Sequence, residues 1–169
     1  FFTDRFLVDH WRTLVQDADA RRKLEISLAE ILTPPVLAHL PPALQLELED
    51  GDVSRWIDSR DAESDVLTIH SKADGRLIGL VVLAADPDTG DRSVVHVGYL
   101  FAERVWGQGA ASEILMALVA AMRKQAPITL VGGVDVSNPA SARVLRKAGF
   151  AQAPILSTLQ GKIYTMDVE

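Results

Sequence analysis

The spacing of apolar residues changes character along the chain, and each change marks a different kind of element. Phe6, Leu7 and Val8 predict a short strand. Residues 11–32 read as one helix, in which Leu24, Ile26, Leu28, Ile31 and Leu32 keep an imperfect helical spacing. Thr33-Pro34-Pro35 ends it, because proline lacks the N–H and clashes with the preceding turn. A short helix is predicted at 36–40, closed by a second stop at Pro41-Pro42. Another short helix carries Val53, Trp56 and Ile57 on one side.

The middle of the chain is β in pattern. Residues 66–70 and 77–83 are apolar and rich in β-branched side chains, and Lys72-Ala73-Asp74-Gly75 between them is a hairpin signal. A second turn, Asp86-Pro87-Asp88-Thr89-Gly90, leads to a third run, Ser93–Phe101. These three strands are expected as an antiparallel meander.

The period then becomes helical. Ala111, Ile114, Leu115, Leu118, Val119 and Met122 fall at offsets 0, 3, 4, 7, 8 and 11. Arg123 and Lys124 follow at the end where the dipole favours positive charge, and Pro127 stops the helix. Residues 128–136 predict a strand. Asn138-Pro139 is a helix start, with Asn as N-cap and Pro at the first position, and Gly149 is a helix stop. Residues 151–159 and 162–168 are expected to pair as a terminal hairpin through Gln160-Gly161. The order predicts one mixed α/β domain over residues 1–169, not a doubly wound one.

Composition narrows the function classes. The chain has 169 residues, 48% hydrophobic and 24% charged, which excludes a disordered chain or a collagen. A net charge of −6 lacks the basic footprint of a general nucleic-acid binder. The absence of cysteine excludes disulfides, thiolate metal sites and cysteine nucleophiles. No apolar run reaches membrane-spanning length and no signal pattern opens the chain, so a soluble cytoplasmic protein is expected.

Candidate chemistry centres on Arg104-Val105-Trp106-Gly107-Gln108-Gly109-Ala110-Ala111, between the third strand and the long amphipathic helix. The first amides of a helix have no intrahelical acceptor, and the dipole makes that end partly positive. Glycines at 107 and 109 remove Cβ atoms that would hold a phosphate away, so the segment predicts an anion site. The bland alternative is a tight strand-to-helix turn. A P-loop is excluded because Gly109 is followed by Ala110-Ala111 rather than Lys-Ser/Thr, and a dinucleotide fingerprint because Ser112 stands at its third glycine.

Arg104-Val105-Trp106-Gly107-Gln108-Gly109 resembles the Arg/Gln-x-x-Gly-x-Gly/Ala signature of the GNAT N-acetyltransferase superfamily. A second stretch, Asn138-Pro139-Ala140-Ser141-Ala142-Arg143-Val144-Leu145-Arg146-Lys147-Ala148-Gly149-Phe150, resembles the Asn-x-x-Ser-x-Arg-Val-Leu-x-Lys-x-Gly-Phe segment of the ribosomal-protein N-terminal (Rim-type) acetyltransferases. The resemblance covers about residues 94–150. It implies a GNAT-like mixed, largely antiparallel sheet flanked by helices, with a splayed pair of strands at the cofactor site.

It also implies acetyl-CoA as co-substrate and no metal. Backbone amides from Arg104 through Gly109, with Ala110 and Ala111 in the first helical turn, would hold the pyrophosphate. Leu100 and Ala102, with Phe101 between them, would pair with pantetheine as an added strand does. Asn138 and Ser141 would lie near the arm and the thiol. Asn138 is equally a helix cap, and Ser141 a first-turn residue bonded to backbone. Arg143 is a candidate for the 3′-phosphate, whereas Arg146 and Lys147 read as a solvated face.

The implied chemistry is acyl transfer from a thioester to an amine. Many relatives place a tyrosine acid seven residues after the Asn, where this chain has Leu145, which cannot donate a proton. Ser141 is then the candidate to hydrogen-bond the leaving thiolate. His96 is the candidate base, its reference pKa of about 6.5 suiting neutral-pH proton transfer; the plain reading is a strand histidine. His70 is a weaker candidate of the same kind, and Asp135 has a water-mediated and a turn reading. Tyr99 either reaches the cleft or packs, and Trp11 and Trp56 are core or substrate-wall residues. The resemblance implies an N-acetyltransferase for a primary amine, either a small molecule or a protein N-terminus, with a homodimer left open. The rival is a catalytically silent acyl-CoA-binding sensor or interaction domain.

Overall fold

The computed structural model describes residues 1–41, 44–45, 52–86 and 93–169. Their elements run β1 (Phe6–His10), α1 (Arg12–Gln16), α2 (Ala18–Ile31), α3 (Pro34–Leu37), α4 (Val53–Glu63), β2 (Asp65–Ser71), β3 (Leu77–Asp86) and β4 (Ser93–Phe101). They continue α5 (Ala110–Met122), β5 (Ile128–Asp135), α6 (Pro139–Lys147), β6 (Ala151–Gln152) and β7 (Gly161–Val168). The strands form one seven-stranded sheet in the order β1-β2-β3-β4-β5-β7-β6. Among the described residues only the β4–β5 pairing is parallel, and α5 is the crossover such a pair requires.

Apolar side chains fill both faces of the sheet. One core joins Val95, Val97 and Phe101 of β4 to α5 and α6, and includes Leu115, Leu118 and Leu145. The other joins Leu80, Val82 and Leu100 to α2, α3 and α4. The period-2 alternation of β4 therefore sends Val95, Val97, Tyr99 and Phe101 to one side and His96, Gly98 and Leu100 to the other. Trp11 and Trp56 lie in the second core, edge to face at 6.5 Å, with indole N–H groups donating to Asp61 and to the Leu44 carbonyl.

The β2-β3-β4 meander forms as expected, as do β1, α4, α5 and the Asn138-capped α6. Four boundaries differ from the pattern reading. The helix expected over 11–32 is two helices, broken at Asp17, whose side chain accepts from the Ala20 amide and so caps α2. The helix expected at 36–40 begins instead at Pro34, because a proline that stops one helix is preorganised for the first turn of the next. β5 ends at Asp135, before Val136.

The fourth difference is the terminal hairpin. It pairs only Ala151 with Thr165 and Gln152 with Tyr164. Pro154 cannot donate to the ladder, and Pro154–Leu156 forms a 3₁₀ turn. Pro42 of the second expected stop and residues 87–90 of the second expected turn lie outside the described residues. No helix among the described residues is long and apolar enough to cross a membrane.

Candidate active site

β4 and β5 share hydrogen-bonding register only from Ser93↔Ile128 to His96↔Val131. Beyond that point β4 runs on to Phe101 alongside β3, and β5 runs on to Asp135 alongside β7. The two strands thus part, and a wedge opens between residues 97–101 and 132–135. A cleft of about 910 Å³ occupies it, walled by the loop after β4, by α6 and by α3 and α4. Because the wedge passes through the sheet, it joins the α5/α6 face to the α3/α4 face.

The loop is shaped by two left-handed glycines. Gly107 has φ +71° and Gly109, the residue before α5, has φ +78°. A Cβ at Gly107 would meet nothing within 4 Å, so glycine is required there for its backbone angle rather than for space. The amides of Ala110, Ala111 and Ser112 open the helix without intrahelical acceptors, and these residues wall the cleft. Side chains of the loop are tied elsewhere. Arg104 donates to the Leu77 carbonyl, Gln108 Nε2 to the Arg104 carbonyl at 2.7 Å, and Trp106 Nε1 to the Phe101 carbonyl at 2.8 Å.

Of the residues expected to hold the cofactor, Leu100, Phe101, Val105, Trp106 and Gly107 wall the cleft. So do Gly109, Ala110, Ala111, Asn138, Ser141 and Arg143. Ala102, Arg104 and Gln108 do not. The expected pairing edge also moves by one residue. The Ala102 amide donates to the Ile78 carbonyl of β3, and the Leu100 carbonyl lies against Gly79 of the same strand. Alternation then turns the backbone of Tyr99 and Phe101 toward the wedge, as the Trp106 bond to the Phe101 carbonyl confirms.

On α6, Asn138 Oδ1 accepts from the Ser141 amide at 3.1 Å, so its capping role is realised within the cleft wall. Ser141 Oγ lies 2.7 Å from the Tyr99 hydroxyl, a link across the wedge. Burial pushes the Tyr99 phenol up to about 12, and the Ser141 hydrogen bond only partly offsets this. Leu145 is 1% exposed and packs over Gly132 of β5, where an added Cβ would stand 2.9 Å from Leu145 Cδ2. Lys147, read from sequence as a solvated residue, also walls the cleft.

His96 is exposed at the last β4–β5 pair and lines the cleft from the α3/α4 side. His70 does not reach it; its ring nitrogen contacts the Gly75 carbonyl in the β2–β3 turn at 3.2 Å. Asp135 accepts from both the amide and the hydroxyl of Ser137, which hold its carboxyl below the usual range. It too stands outside the cleft wall.

The α3/α4 wall brings in residues the sequence reading did not single out: His39, Arg60 and Glu63. Arg60 Nη2 pairs with Glu63 Oε2 at 3.1 Å, and its Nε is buried without a partner. A signal existed, since Trp56, Ile57 and Arg60 fall at helical spacing and place an arginine on the buried stripe of α4. Arg5 was also missed. It pairs with Glu113 of α5 at 2.7 Å and approaches Gly109, 3.9 Å from where a Cβ would stand.

A family model described as an acetyltransferase (GNAT) domain matches residues 13–151. The chain belongs to the GNAT acetyltransferase family. Solved structures with the same fold include a GNAT-family acetyltransferase from Bacillus anthracis, 16% identical, TM-score 0.72, covering 98% of this chain and 96% of that one. A ribosomal-protein-S5-alanine acetyltransferase from Vibrio fischeri is 14% identical, TM-score 0.71, covering 100% and 96%. A ribosomal L7/L12 alpha-N-protein acetyltransferase in complex with coenzyme A is 16% identical, TM-score 0.71, covering 98% and 96%. At such identities the likeness concerns the fold. No curated protein matches the sequence. Membership supports acyl-CoA-dependent acetyl transfer in general terms, with acetyl-CoA as the family's co-substrate.

Proposed function

We propose that this GNAT domain is an acetyl-CoA-dependent N-acetyltransferase for a primary amine, with a protein N-terminal α-amine as the favoured acceptor. The observation that carries the reading is the wedge beyond His96, which links an anion-binding loop on one face of the sheet to a separate polar wall on the other. The donor set fits the co-substrate. Open amides at Ala110–Ser112 and two left-handed glycines suit a pyrophosphate, and the Tyr99–Phe101 edge suits the amides of a pantetheine arm.

In this reading acetyl-CoA supplies the thioester, and the chain supplies position and polarity. The acceptor enters from the His39, Arg60, Glu63 and His96 side. Its nitrogen bonds the carbonyl carbon, the C–S bond breaks with its electron pair on sulfur, and the proton given up by the amine ends there. Ser141 donates a hydrogen bond to that sulfur, and a strand amide at the wedge polarises the carbonyl. The carboxylate on that side, Glu63, is paired with Arg60, so in this reading the reaction runs chiefly on orienting a neutral amine. An α-amine, with a reference pKa of about 7.7–8.0, is easier to use this way than a lysine near 10.4.

The test is release of CoA from acetyl-CoA in the presence of peptides with free N-termini and of small amines. Turnover above the amine-free rate is expected, and its absence with CoA still bound favours the silent sensor. kcat/KM should rise with pH and level near the pKa of the acceptor. His96→Ala should keep that shape; loss of the ascending limb in the variant would instead make His96 the base.

A further inference from the structure

We infer that Tyr99 is a positioning residue which donates its phenolic hydrogen to Ser141 Oγ and so turns the Ser141 hydroxyl hydrogen toward the sulfur of the leaving group. The inference rests on reading the chain as an enzyme of acetyl-CoA and deepens it at the thiol end of the cleft. It starts from a hydroxyl's limited repertoire, one hydrogen to give and two lone pairs to accept. A free serine hydroxyl rotates, and its hydrogen has no fixed direction. Here both ends of Ser141 are held. Its amide is taken by Asn138 Oδ1 at 3.1 Å, and its Oγ faces the Tyr99 hydroxyl at 2.7 Å.

Either hydroxyl can donate across this contact, and the proposal assigns the shared hydrogen to Tyr99. Tyr99 has a second acceptor in the Ser141 carbonyl, but at 3.4 Å it lies beyond good O–H···O range, whereas 2.7 Å lies at its centre. Burial keeps the phenol protonated across the working pH range, so it has a hydrogen to give. With that hydrogen on Oγ, the serine's own points away from Tyr99, into the cleft both residues line. The ring is fixed by Phe101, centroids 6.2 Å apart.

Leu145 packs on Gly132 and lines the cleft without a polar group, and the phenol at this end of the cleft comes from β4, across the wedge. No proton is lost by either hydroxyl in this scheme. Ser141 donates a hydrogen bond to sulfur as the C–S bond breaks, and the proton that ends on sulfur is the one released by the amine.

The absence of cysteine makes a direct test available, because the only thiol in a protein–CoA mixture is that of CoA. The thiolate absorbance of bound CoA is titrated for wild type, Tyr99→Phe and Ser141→Ala. In wild type the bound thiol should ionise about one unit below free CoA, a tenfold stabilisation of the thiolate. Both variants should return it to near the free value while CoA still raises the melting temperature. A Tyr99→Phe complex that titrates like wild type overturns the proposal, as does a Ser141→Ala complex that keeps the shift or a wild type that has none. If Tyr99→Phe fails to fold, Ser141→Ala still decides. In turnover, each variant should lose about five- to tenfold in kcat, and the double variant should be no slower than either single one. Losses that multiply overturn the relay. A wild type that shifts the thiol but never turns over would refute the enzymatic reading and leave the Tyr99–Ser141 contact standing.

Discussion

The two walls of the cleft are built in different ways. The wall proposed for the co-substrate comes from one stretch of chain, β4 to α6, in which a strand, a glycine loop, a crossover helix, a second strand and a capped helix follow without interruption. The opposite wall is assembled from His39 after α3, Arg60 and Glu63 at the end of α4, Ala84 of β3 and His96 of β4. The first is local because it is made largely of backbone: open amides at a helix start and a strand edge with no neighbouring strand. The second is made of side chains that meet only once helices and sheet have packed. A ligand common to a family can be met by the first kind of wall, while acceptors that vary call for the second.

The comparison breaks most sharply at Gly109. Gly109→Glu should abolish the melting shift given by acetyl-CoA, because a carboxylate would stand where the loop amides face an anion. At a ligand concentration of about 100 Kd the lost stabilisation is about 2.7 kcal/mol. Gly109→Ala separates charge from conformation. At φ +78° it should cost about 1–2 kcal/mol in the free protein yet keep most of the shift. Equal loss of shift in both variants would mean that the loop's shape, not its sign, governs binding.

Leu145→Tyr tests whether the local wall tolerates the acid many relatives carry. Leu145 is 1% exposed, packed on Gly132 at the cleft wall, so a ring held in its place should cost about 1–3 kcal/mol by overpacking and should not raise kcat. Urea unfolding and steady-state rates check this together. A faster enzyme at unchanged stability would mean that the wedge has room the packing denies.

How much of this was legible follows the same division. Asn138-Pro139, Gly149, the α5 stripe and the two loop glycines are short-range signals whose physics acts within a turn or two, and the structure has them where the pattern put them. The free backbone edge of β4 falls at Tyr99 and Phe101 rather than at Leu100 and Ala102, because strand parity depends on which neighbour takes which amide, and β3 takes the alternate ones. Asp17 escaped notice because a helix break by a cap competes with an apolar stripe that continues past it. The Tyr99–Ser141 contact spans 42 residues and exists only because β4 and β5 part. His39 gave no signal at all.

Arg60→Met sharpens the comparison from the other wall. Arg60 is 8% exposed, its Nε has no partner and its ion pair is with the exposed Glu63, so an apolar side chain of similar length should leave stability nearly unchanged. The acetyl-CoA melting shift should also be unchanged, while kcat/KM for the acceptor falls about tenfold, the scale of one hydrogen bond to a charged group. If the melting shift falls instead, the two walls are not separable in this way.

The smallest effect is expected at the matching atom of the first wall's core. Tyr164 on β7 is fully buried, lies in register with Gly132 and packs in the core shared with α5 and α6. Its hydroxyl is, with Arg60 Nε, one of two buried side-chain polar atoms without a partner among the described residues. The two differ in one respect: Arg60 lines the cleft and Tyr164 does not. A polar group sealed away from both water and ligand carries its desolvation cost with nothing to offset it. Tyr164→Phe removes the oxygen and keeps the ring, so the protein should be unchanged or more stable by up to about 1 kcal/mol, with turnover and acetyl-CoA binding untouched. Equilibrium urea unfolding beside the steady-state rates reads both, and a destabilisation of more than about 1 kcal/mol would show that the hydroxyl is hydrogen-bonded in solution, for instance to a buried water.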